Sequence, residues 1–526
     1  MKAPSVYDRE RTSFVSRPWA LTTRRDAPRP VARNLLWPVV ATLAAAVFAL
    51  RFTGLGTAYD AFIDEPFYTQ MGASVAAGHL PPLNFGTPFL LHPPGFFLLE
   101  SLWREVVPVD GDLYHDMILM RLMQQPFAVA TALLLFGLVL RLAGFVPAVV
   151  AAALFALDAF ILRQNGRVLI ETATVAFVMA GYLLLIRLAE GRTRRRTLVA
   201  VGVGSLFAAA VLTKDMALLI TGAPMAVIAV RSSVVRRSEA LIAALIPVAA
   251  YLTYALSLVA GGYGGAFWSA KTSGFARLLG AHVVTGFNAP GTPSLAGVLW
   301  SQASFYGGSY LLVGLGTLAG LLLLVRPANP AQRILGLCTT AAALMTGYNG
   351  LFGTFEEHFL YFLELPALAA LAVVGAHLWR HEITLPPRLT AAAKPVVATA
   401  LVVLFGLNAV SWERTRATPD NAHQLAVQWL KDHAPAGTKV AWTDELTEYG
   451  LQGSGLVAVR LDKPDRMARE PATYLVTCEK IIDQGYSFAS RSRVDWFTHR
   501  STKVFSHVGR SYGEVAVYRT ADPDSW

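Results

Sequence analysis

The chain contains little cysteine and little charge, and each shortage excludes a class of protein. Two of the 526 residues are cysteines, too few for a disulfide framework. Cys338 lies in an apolar run and Cys478 in the polar C-terminal part, so we do not expect a bridge between them. No cluster of Cys and His has the spacing of a zinc site. Charged residues make up 15% of the chain, whereas soluble domains average about 25%, which argues against an ordinary soluble protein.

Long apolar segments take the place of that charge. Hydrophobic residues form 54% of the chain, and a membrane-spanning helix needs about 20 predominantly apolar residues. We therefore predict a polytopic α-helical membrane protein with about eleven spans, of which the pair at 198–230 is interrupted by Lys214 and Asp215. The predicted spans cover residues 35–52, 117–140, 145–161, 168–188, 198–212, 216–230, 240–260, 309–325, 334–350, 359–379 and 395–412.

The bases indicate how the chain is oriented. A net charge of +10 could indicate a nucleic-acid partner, but the first 34 residues alone contain eight Lys and Arg. With this tail in the cytoplasm, alternating spans put the other basic stretches on the same side, as the positive-inside rule requires. These stretches are Arg141 and residues 187–196, 231–237, 326–333 and 380–394. We predict a multi-pass protein of the plasma or inner membrane, with a cytoplasmic N-terminus and no nucleic-acid partner. A cleaved signal peptide is the alternative for the first span.

The chain divides into three parts. Residues 1–34 form the basic tail, and 35–412 form the transmembrane domain, with large outer loops at 53–116 and 261–308. Residues 413–526 contain an amphipathic helix pattern at 421–435 and strand patterns at 438–442, 473–477 and 513–519. They predict a small α/β domain, which an odd number of spans places on the extracytoplasmic side.

Ionisable residues are concentrated at the outer ends of the predicted spans. A charge at the bilayer centre costs roughly 2.5–3.5 kcal/mol on insertion scales, so such residues usually line a polar cavity. Their common side predicts one cavity in which they pair with each other or with a substrate. The residues are Asp64, Glu65, His92, Arg163, Arg167, Glu171, Lys214, Asp215, Glu356, Glu357 and His358.

Each of these residues also has an ordinary structural interpretation. A spacing of four puts Arg163, Arg167 and Glu171 on one face of a helix, where Arg167 and Glu171 would form an ion pair. Carboxylates at 64 and 65 could cap a helix. The remaining structural interpretations are a Lys214–Asp215 pair at the membrane surface, a solvated turn at 356–358, a loop histidine at His92 and an interfacial aromatic at Tyr68.

Cations around a carboxylate are suited to transfer from a phosphate-bearing donor. Arg and Lys bind phosphate through charge-assisted hydrogen bonds and stabilise the charge that develops on a departing phosphate. Asp64 could accept the proton of an attacking hydroxyl, a role that contributes about 10²–10⁴-fold in rate. A lipid donor explains why such a site lies at the membrane surface.

The ordered set of motifs resembles GT-C glycosyltransferases of the protein O-mannosyltransferase and aminoarabinose (lipid A) transferase type, which is glycosyltransferase family 39-like. Asp64, Glu65 and Tyr68 resemble the Asp-Glu-x-x-Tyr element of the first outer loop, and HPPG at 92–95 is similar to the His-Pro-Pro segment. The remaining motifs are RVLIE at 167–171, LTKD at 212–215 and EEHFLYFLELPALAAL at 356–371.

The resemblance implies the activity and the roles of individual residues. It implies inverting, single-displacement transfer of a monosaccharide from a polyprenyl-phosphate donor to a hydroxyl on a protein, lipid or cell-wall glycan, at the extracytoplasmic face. Asp64 would be the base and Glu65 its supporting carboxylate, Lys214 would bind the donor phosphate, and Arg167 and Glu171 would shape the pocket. We extend phosphate binding to Arg163, Arg167 and His358, and pocket support to Tyr68, His92, Asp215 and Glu357.

The sequence departs from this family pattern at two positions. His358 and Phe359 stand where an Arg-Tyr pair is frequent, and Asp215 follows Lys214 where many members carry a neutral residue or Glu. An acidic pair can bind a divalent cation, but the resemblance favours no metal, and we expect no cofactor.

Two other functions fit the same composition. One is a transporter or flippase of a lipid-linked or anionic solute, and the other is a non-catalytic scaffold for envelope assembly. Transporters often have repeated halves, and we find no internal repeat. The Ala-, Arg- and Val-rich composition is typical of a high-GC bacterium, for which a mannose or arabinofuranose donor is plausible.

Overall fold

The computed structural model describes residues 33–191, 193–231, 235–282, 291–353, 356–383, 386–461 and 471–520. Nearly all of the predicted basic tail, together with Arg192 and residues 232–234 of the basic loops, lies outside the described residues. The first half of the chain forms the helices α1 (Arg33–Phe52), α2 (Asp64–Ala76), α3 (Gly95–Arg104), α4 (Leu113–Ala143), α5 (Phe145–Leu157), α6 (Ala159–Asn165), α7 (Ile170–Ala189), α8 (Arg196–Thr213), α9 (Ala217–Arg231) and α10 (Arg237–Ala260). It also has a two-stranded ribbon, β1 (Leu83–Asn84) with β2 (Thr87–Pro88).

The second half continues the helical domain and ends in a mixed sheet. Its helices are α11 (Gly264–Leu278), α12 (Leu295–Val325), α13 (Pro330–Leu351), α14 (Leu360–Trp379), α15 (Pro387–Ala417), α16 (Ala422–His433), α17 (Glu445–Leu451), α18 (Glu479–Asp483) and α19 (Arg491–Thr498). Its strands are β3 (Lys439–Trp442), β4 (Val457–Arg460), β5 (Tyr474–Cys478), β6 (Ser501–Gly509) and β7 (Gly513–Thr520).

The prediction of a polytopic helical membrane protein is confirmed. Each of the eleven predicted apolar segments lies on helical structure. Within the described residues, eight helices are long and apolar enough to cross a membrane, and the bent pair α5–α6 would make nine. α9 is a shorter apolar helix. Small residues let neighbouring helices approach closely, as is common in membrane proteins: a Cβ added at Gly316 of α12 would lie 2.5 Å from the backbone oxygen of Ala367 in α14.

The helical structure is interrupted at Asp158 and again after Asn165, and polar side chains lie near both interruptions. α5 and α6 meet at an angle of 64°, and Asp158 caps α6 by accepting hydrogen bonds from the backbone of Phe160 and Ile161. The chain leaves the helix again after Asn165. The prediction that Arg163, Arg167 and Glu171 share one helix face is therefore wrong, because α6 ends before Arg167 and α7 begins after it.

The C-terminal part is the predicted small α/β domain. Its sheet has the strand order β4-β3-β5-β7-β6, with β3 parallel to β4 and β5, and β7 antiparallel to β5 and β6. α16 and strands β3, β5 and β7 match the predicted elements. The edge strands β4 and β6 were not predicted.

This domain shares its hydrophobic core with the outer part of the membrane domain. One continuous set of buried residues joins Tyr68 of α2 and Phe96 of α3 to Val427 of α16 and Val476 of β5. Burial of apolar surface stabilises by about 25 cal/mol per Å², so this shared core fixes the first outer loop against the sheet. The loop that leads to Asp64 is enclosed between the membrane domain and the C-terminal domain.

Candidate active site

Asp64 begins helix α2 and lies half-buried at the end of the helix bundle that packs against the C-terminal domain. The Tyr68 hydroxyl, one helical turn later, lies 3.4 Å from Asp64 Oδ2. Burial raises the pKa of Asp64 to about 6, although the nearby His358 opposes the shift. A carboxyl whose pKa lies near the working pH is suited to accept a proton. Asp64 and Tyr68 are thus brought together as predicted.

Glu65, the neighbour of Asp64 in sequence, points into the protein interior. Its fully buried carboxylate forms a two-pronged ion pair with Arg121 of α4, at 2.8 Å from Nε and 2.7 Å from Nη2. It also accepts hydrogen bonds from the backbone N–H of Phe62 and of Val168, each at 2.8 Å. Glu65 therefore holds the chain on both sides of the site, and Asp64 alone of the acidic pair faces the other charges.

Lys214 lies at the outer end of α8 and contacts a carboxylate and an imidazole. Its Nζ forms an ion pair with Glu171 of α7 and lies 3.4 Å from His358 Nε2. The same His358 nitrogen is 3.3 Å from Glu171 and 3.0 Å from Glu356. Burial favours a higher pKa for Glu356, but His358 and Lys214 lower it to about 2.

Arg163 and Glu357 form a second ion pair beside the first. Gln302 of α12 donates to Glu357 at 2.6 Å, and the Arg163 guanidinium lies 5.4 Å from the ring centre of Tyr306. Gln302 and Glu357 border a small, largely apolar pocket that Phe160 of α6 and Val298 of α12 also line. We name Asp64, Tyr68, Arg163, Glu171, Lys214, Glu356, Glu357 and His358 the outer cluster.

His92 and Asp215 lie at the edge of the outer cluster, and Asp215 pairs with a lysine that was not among the predicted site residues. Lys271 of α11 donates to Asp215 and to the backbone oxygen of Leu91, both at 2.5 Å. His92 Nδ1 is 4.0 Å from Asp215. Burial, together with Lys214, lowers the pKa of His92 to about 4, so His92 is neutral near pH 7. The surface pair of Lys214 with Asp215 is not formed, since Lys214 faces Glu171.

Arg167 turns away from the outer cluster towards the C-terminal domain. It donates to the Ser511 hydroxyl at 3.1 Å and lies over the Phe62 ring, 5.1 Å from its centre. The predicted structural pair with Glu171 does not form, because Glu171 contacts Lys214 and His358. Arg167 borders the site through Phe62, whose ring also contacts His358 edge-on.

Solved structures of similar shape include two membrane glycosyltransferases. AglB, the archaeal oligosaccharyltransferase of Archaeoglobus fulgidus, in complex with an inhibitory peptide and a dolichol-phosphate, has a TM-score of 0.56 and 11% identity, over 93% of this chain and 74% of AglB. ArnT from Cupriavidus metallidurans has a TM-score of 0.54 in the apo state and 0.52 with undecaprenyl phosphate, at 11% identity over 93% of this chain and 98% of ArnT. The chain has the GT-C fold. The sequence itself matches no protein-family model and no curated protein.

Four polar residues around the site of this GT-C fold escaped prediction from the sequence. Arg121 lies inside a predicted span, where a single arginine amid apolar residues was an available signal. Lys271 and Arg277 lie on α11, a helix of the second outer loop, and Arg277 pairs with Glu356 at 3.2 Å. Gln302 is uncharged and carried no signal.

Groups of possible metal ligands lie elsewhere in this GT-C chain. Among the described residues, sets of three close ligand atoms occur in two places, both outside the outer cluster. The first set lies at the end of the first predicted loop and combines two exposed residues with a buried aspartate, whereas the second is buried in the C-terminal domain. The residues are Asp110, His115 and Asp116 in the first set and His423, Asp444 and Cys478 in the second.

Proposed function

We propose that this protein is a membrane glycosyltransferase that moves a sugar from a polyprenyl-phosphate donor to a hydroxyl acceptor on the extracytoplasmic side. The observation that carries this proposal is the convergence of Asp64 with the Lys214–Glu171–His358 contact at the outer end of a GT-C helix bundle. ArnT has been solved with undecaprenyl phosphate and AglB with dolichol-phosphate, which supports a lipid phosphate as the donor's anchor.

Lys214 and His358 are the proposed ligands of the donor phosphate. Their nitrogens lie 3.4 Å apart, close enough for both to donate to one phosphate group. Glu171 and Glu356 hold these groups in place before the donor binds. Arg163, paired with Glu357, supplies a further positive charge. As the bond to the sugar breaks, these cations stabilise the negative charge on the departing phosphate.

Asp64 is the proposed general base. The acceptor oxygen attacks the anomeric carbon of the sugar and passes its proton to Asp64. The bond between that carbon and the phosphate oxygen breaks on the opposite face, so the configuration is inverted and polyprenyl phosphate leaves. Tyr68 orients Asp64 through its hydroxyl, and Glu65 holds the preceding loop through Arg121. His92, Arg167 and Asp215 shape the rim, and we propose that no metal takes part.

A reconstituted assay tests the proposal. Purified protein in proteoliposomes is given polyprenyl-phosphate sugars of several kinds, and the products are identified by mass spectrometry. Sugar transfer to a hydroxyl, with release of polyprenyl phosphate, supports the proposal and identifies the sugar. Movement of lipid across the bilayer without covalent transfer supports a flippase instead. Lack of binding to any polyprenyl phosphate supports a scaffold. Cysteine labelling at positions 64, 214 and 358 tests whether these residues open to the extracytoplasmic side.

A further inference from the structure

The segment 55–61, just before Asp64, makes an unusual number of hydrogen bonds through its backbone oxygens. Six of its seven carbonyl groups, those of residues 55, 57, 58, 59, 60 and 61, accept a hydrogen bond from outside the segment. Ordinary surface loops are mobile because most of their polar groups face water. This segment is therefore held in one conformation on its way into the active-site helix.

One half of these bonds comes from the membrane domain. Arg121 of α4 donates to the oxygens of Leu55 and Tyr59 through Nη1 and to the oxygen of Asp60 through Nη2, at 2.9–3.3 Å. Its Nε and Nη2 also bind the Glu65 carboxylate. Arg121 is 1% exposed. A single buried guanidinium thus ties the segment to the first turn of α2.

The other half comes from the C-terminal domain. Residues 510–512 form the turn between β6 and β7, which we name the 510–512 turn. Arg510 donates to the oxygen of Ala58, and Tyr512 donates its hydroxyl to the oxygen of Ala61 at 2.5 Å. Asp420 donates its N–H to the oxygen of Thr57 at 2.7 Å.

The 510–512 turn is itself braced by the start of the domain. The Asp420 carboxylate accepts hydrogen bonds from the Ser511 N–H at 2.9 Å and from the Ser511 hydroxyl at 2.7 Å. Asp420 is completely buried. The turn therefore cannot move without breaking charge-assisted bonds, and any displacement of the sheet is transmitted to the segment.

We infer that the C-terminal domain is a positioning element of the active site, which holds Asp64 in place through the 510–512 turn, with Tyr512 as the principal positioning residue. The inference rests on the proposed function, because it assumes that Asp64 is the base. The Ala61 oxygen that Tyr512 holds lies three residues before Asp64. Loss of this bond lets the segment shift and lets water reach Asp64.

The substitution Tyr512→Phe tests the inference, with Tyr518→Phe as its matched control. Tyr518 lies on β7, the strand that follows the 510–512 turn, and its ring faces Lys503 of β6. Phenylalanine at 512 keeps the ring in the shared core and removes the hydroxyl. One lost hydrogen bond of about 1 kcal/mol corresponds to about a fivefold fall in kcat, with KM for the donor unchanged. As water reaches Asp64, the acid limb of the pH–rate profile moves to lower pH.

Hydrogen exchange of peptides covering 55–63 supplies a readout that does not depend on transfer. We expect faster exchange in Tyr512→Phe than in the parent, and parent behaviour in Tyr518→Phe. Ser511→Ala, which keeps the Tyr512 hydroxyl, serves as a second variant should Tyr512→Phe fold poorly, and we expect the same changes at smaller size.

Two results would overturn the inference. One is unchanged hydrogen exchange of the 55–63 peptides in both Tyr512→Phe and Ser511→Ala, and the other is faster exchange with an unchanged kcat and pH profile. Failure of the proposed function looks different: the parent itself would then transfer no sugar, or Asp64→Asn would transfer at the parent rate, while the exchange experiment still reports whether the 510–512 turn holds the segment.

Discussion

The outer cluster and the group formed by His423, Asp444 and Cys478 are both buried and polar, yet their bonding differs. His423 contacts the Tyr114 hydroxyl through Nδ1 at 2.7 Å and the Thr447 hydroxyl through Nε2 at 3.1 Å. Asp444 accepts from the Thr447 N–H at 3.0 Å. Burial raises the pKa of Cys478 well above its ordinary value, so the thiol stays protonated. Each member has a neighbour that satisfies it.

The outer cluster carries more charge and leaves buried atoms without partners. Lys214 and Arg163 face carboxylates in ion pairs, while Glu171 Oε2 and Arg163 Nε make no hydrogen bond. A buried group without a partner costs about 1–3 kcal/mol. The His423 group therefore has the bonding of a structural element, whereas the ion pairs and unpartnered buried atoms of the outer cluster fit the ligand-binding role that we propose for it.

The largest effect is expected from Asp64→Asn, which removes the base and keeps the shape of the side chain. Transfer should fall about 10²–10⁴-fold while the protein remains folded, as measured by initial rates in proteoliposomes. Asp110→Asn, on the exposed part of the same outer loop, serves as the control and should retain the parent rate. A full rate for Asp64→Asn would remove Asp64 from the mechanism.

Lys214→Gln should lower transfer about 100-fold, because one donor to the developing phosphate charge is lost and Glu171 is left without its cation. Lys214→Arg should recover part of the rate, since it restores the charge with another shape. Lys431→Gln, at an exposed pair with Asp112, is the control. Equal rates for the 214 and 431 variants would mean that Lys214 is a structural cation.

The pH dependence of kcat/KM should show an acid limb near pH 6, because Asp64 acts only when ionised and its pKa is about 6. The rate should fall about tenfold per pH unit below that value. A profile without a limb between pH 5 and 7 would contradict Asp64 as base.

The same shift has a consequence for stability. The folded pKa lies above the ordinary value, so Asp64 favours folding below about pH 4, and this contribution is lost as the pH rises through 6. The free energy of unfolding of Asp64→Asn should therefore exceed that of the parent by about 1–3 kcal/mol at pH 8 and equal it near pH 3. Thermal unfolding at both pH values measures the difference, and a reversed order would contradict the assigned direction.

In the His423 group, the effect should fall on stability alone. Asp444→Ala removes the cap of α17, which costs about 0.5–2 kcal/mol, measurable as a lower Tm. Transfer per folded molecule should stay within twofold of the parent. A loss of transfer without a fall in Tm would mean that this group takes part in function, and it would then no longer differ from the outer cluster in this respect.

The smallest effect is expected from a chelator. EDTA should leave both transfer and Tm unchanged, because neither group of three possible metal ligands among the described residues belongs to the outer cluster. Inactivation by EDTA that a divalent cation reverses would overturn the metal-free proposal. A fall in Tm alone would assign a metal to one of the two groups.

Local sequence patterns predicted much of this fold, but they predicted little about which charged side chains pair with each other. Long apolar runs predicted the helices because hydrocarbon length dictates a span. Edge strands β4 and β6 were missed, because residues on them are largely exposed and show no clear burial pattern. The charged members of the outer cluster were visible as charges between apolar segments.

Which charge meets which depends on helix packing, and no local pattern contains that information. Glu171 and Lys214 are 43 residues apart, and Arg163 and Glu357 are 194 apart. The sequence spacing favoured Arg167 with Glu171 and Lys214 with Asp215. Neither pair forms, because a helix break rotates Arg167 away and because α11 brings Lys271 to Asp215.

The bond between Tyr512 and Ala61 joins residues 451 positions apart, and this separation orders events during biosynthesis. The ribosome therefore releases Asp64 long before it releases the 510–512 turn. A stop codon shortly before residue 510 would leave the segment 55–61 without the hydrogen bonds from Arg510 and Tyr512, and on our inference such a chain should transfer sugar more slowly than Tyr512→Phe. The C-terminal domain also cannot be separated cleanly from the rest of the chain, since a cut at residue 418 would expose the apolar residues of the shared core on both fragments.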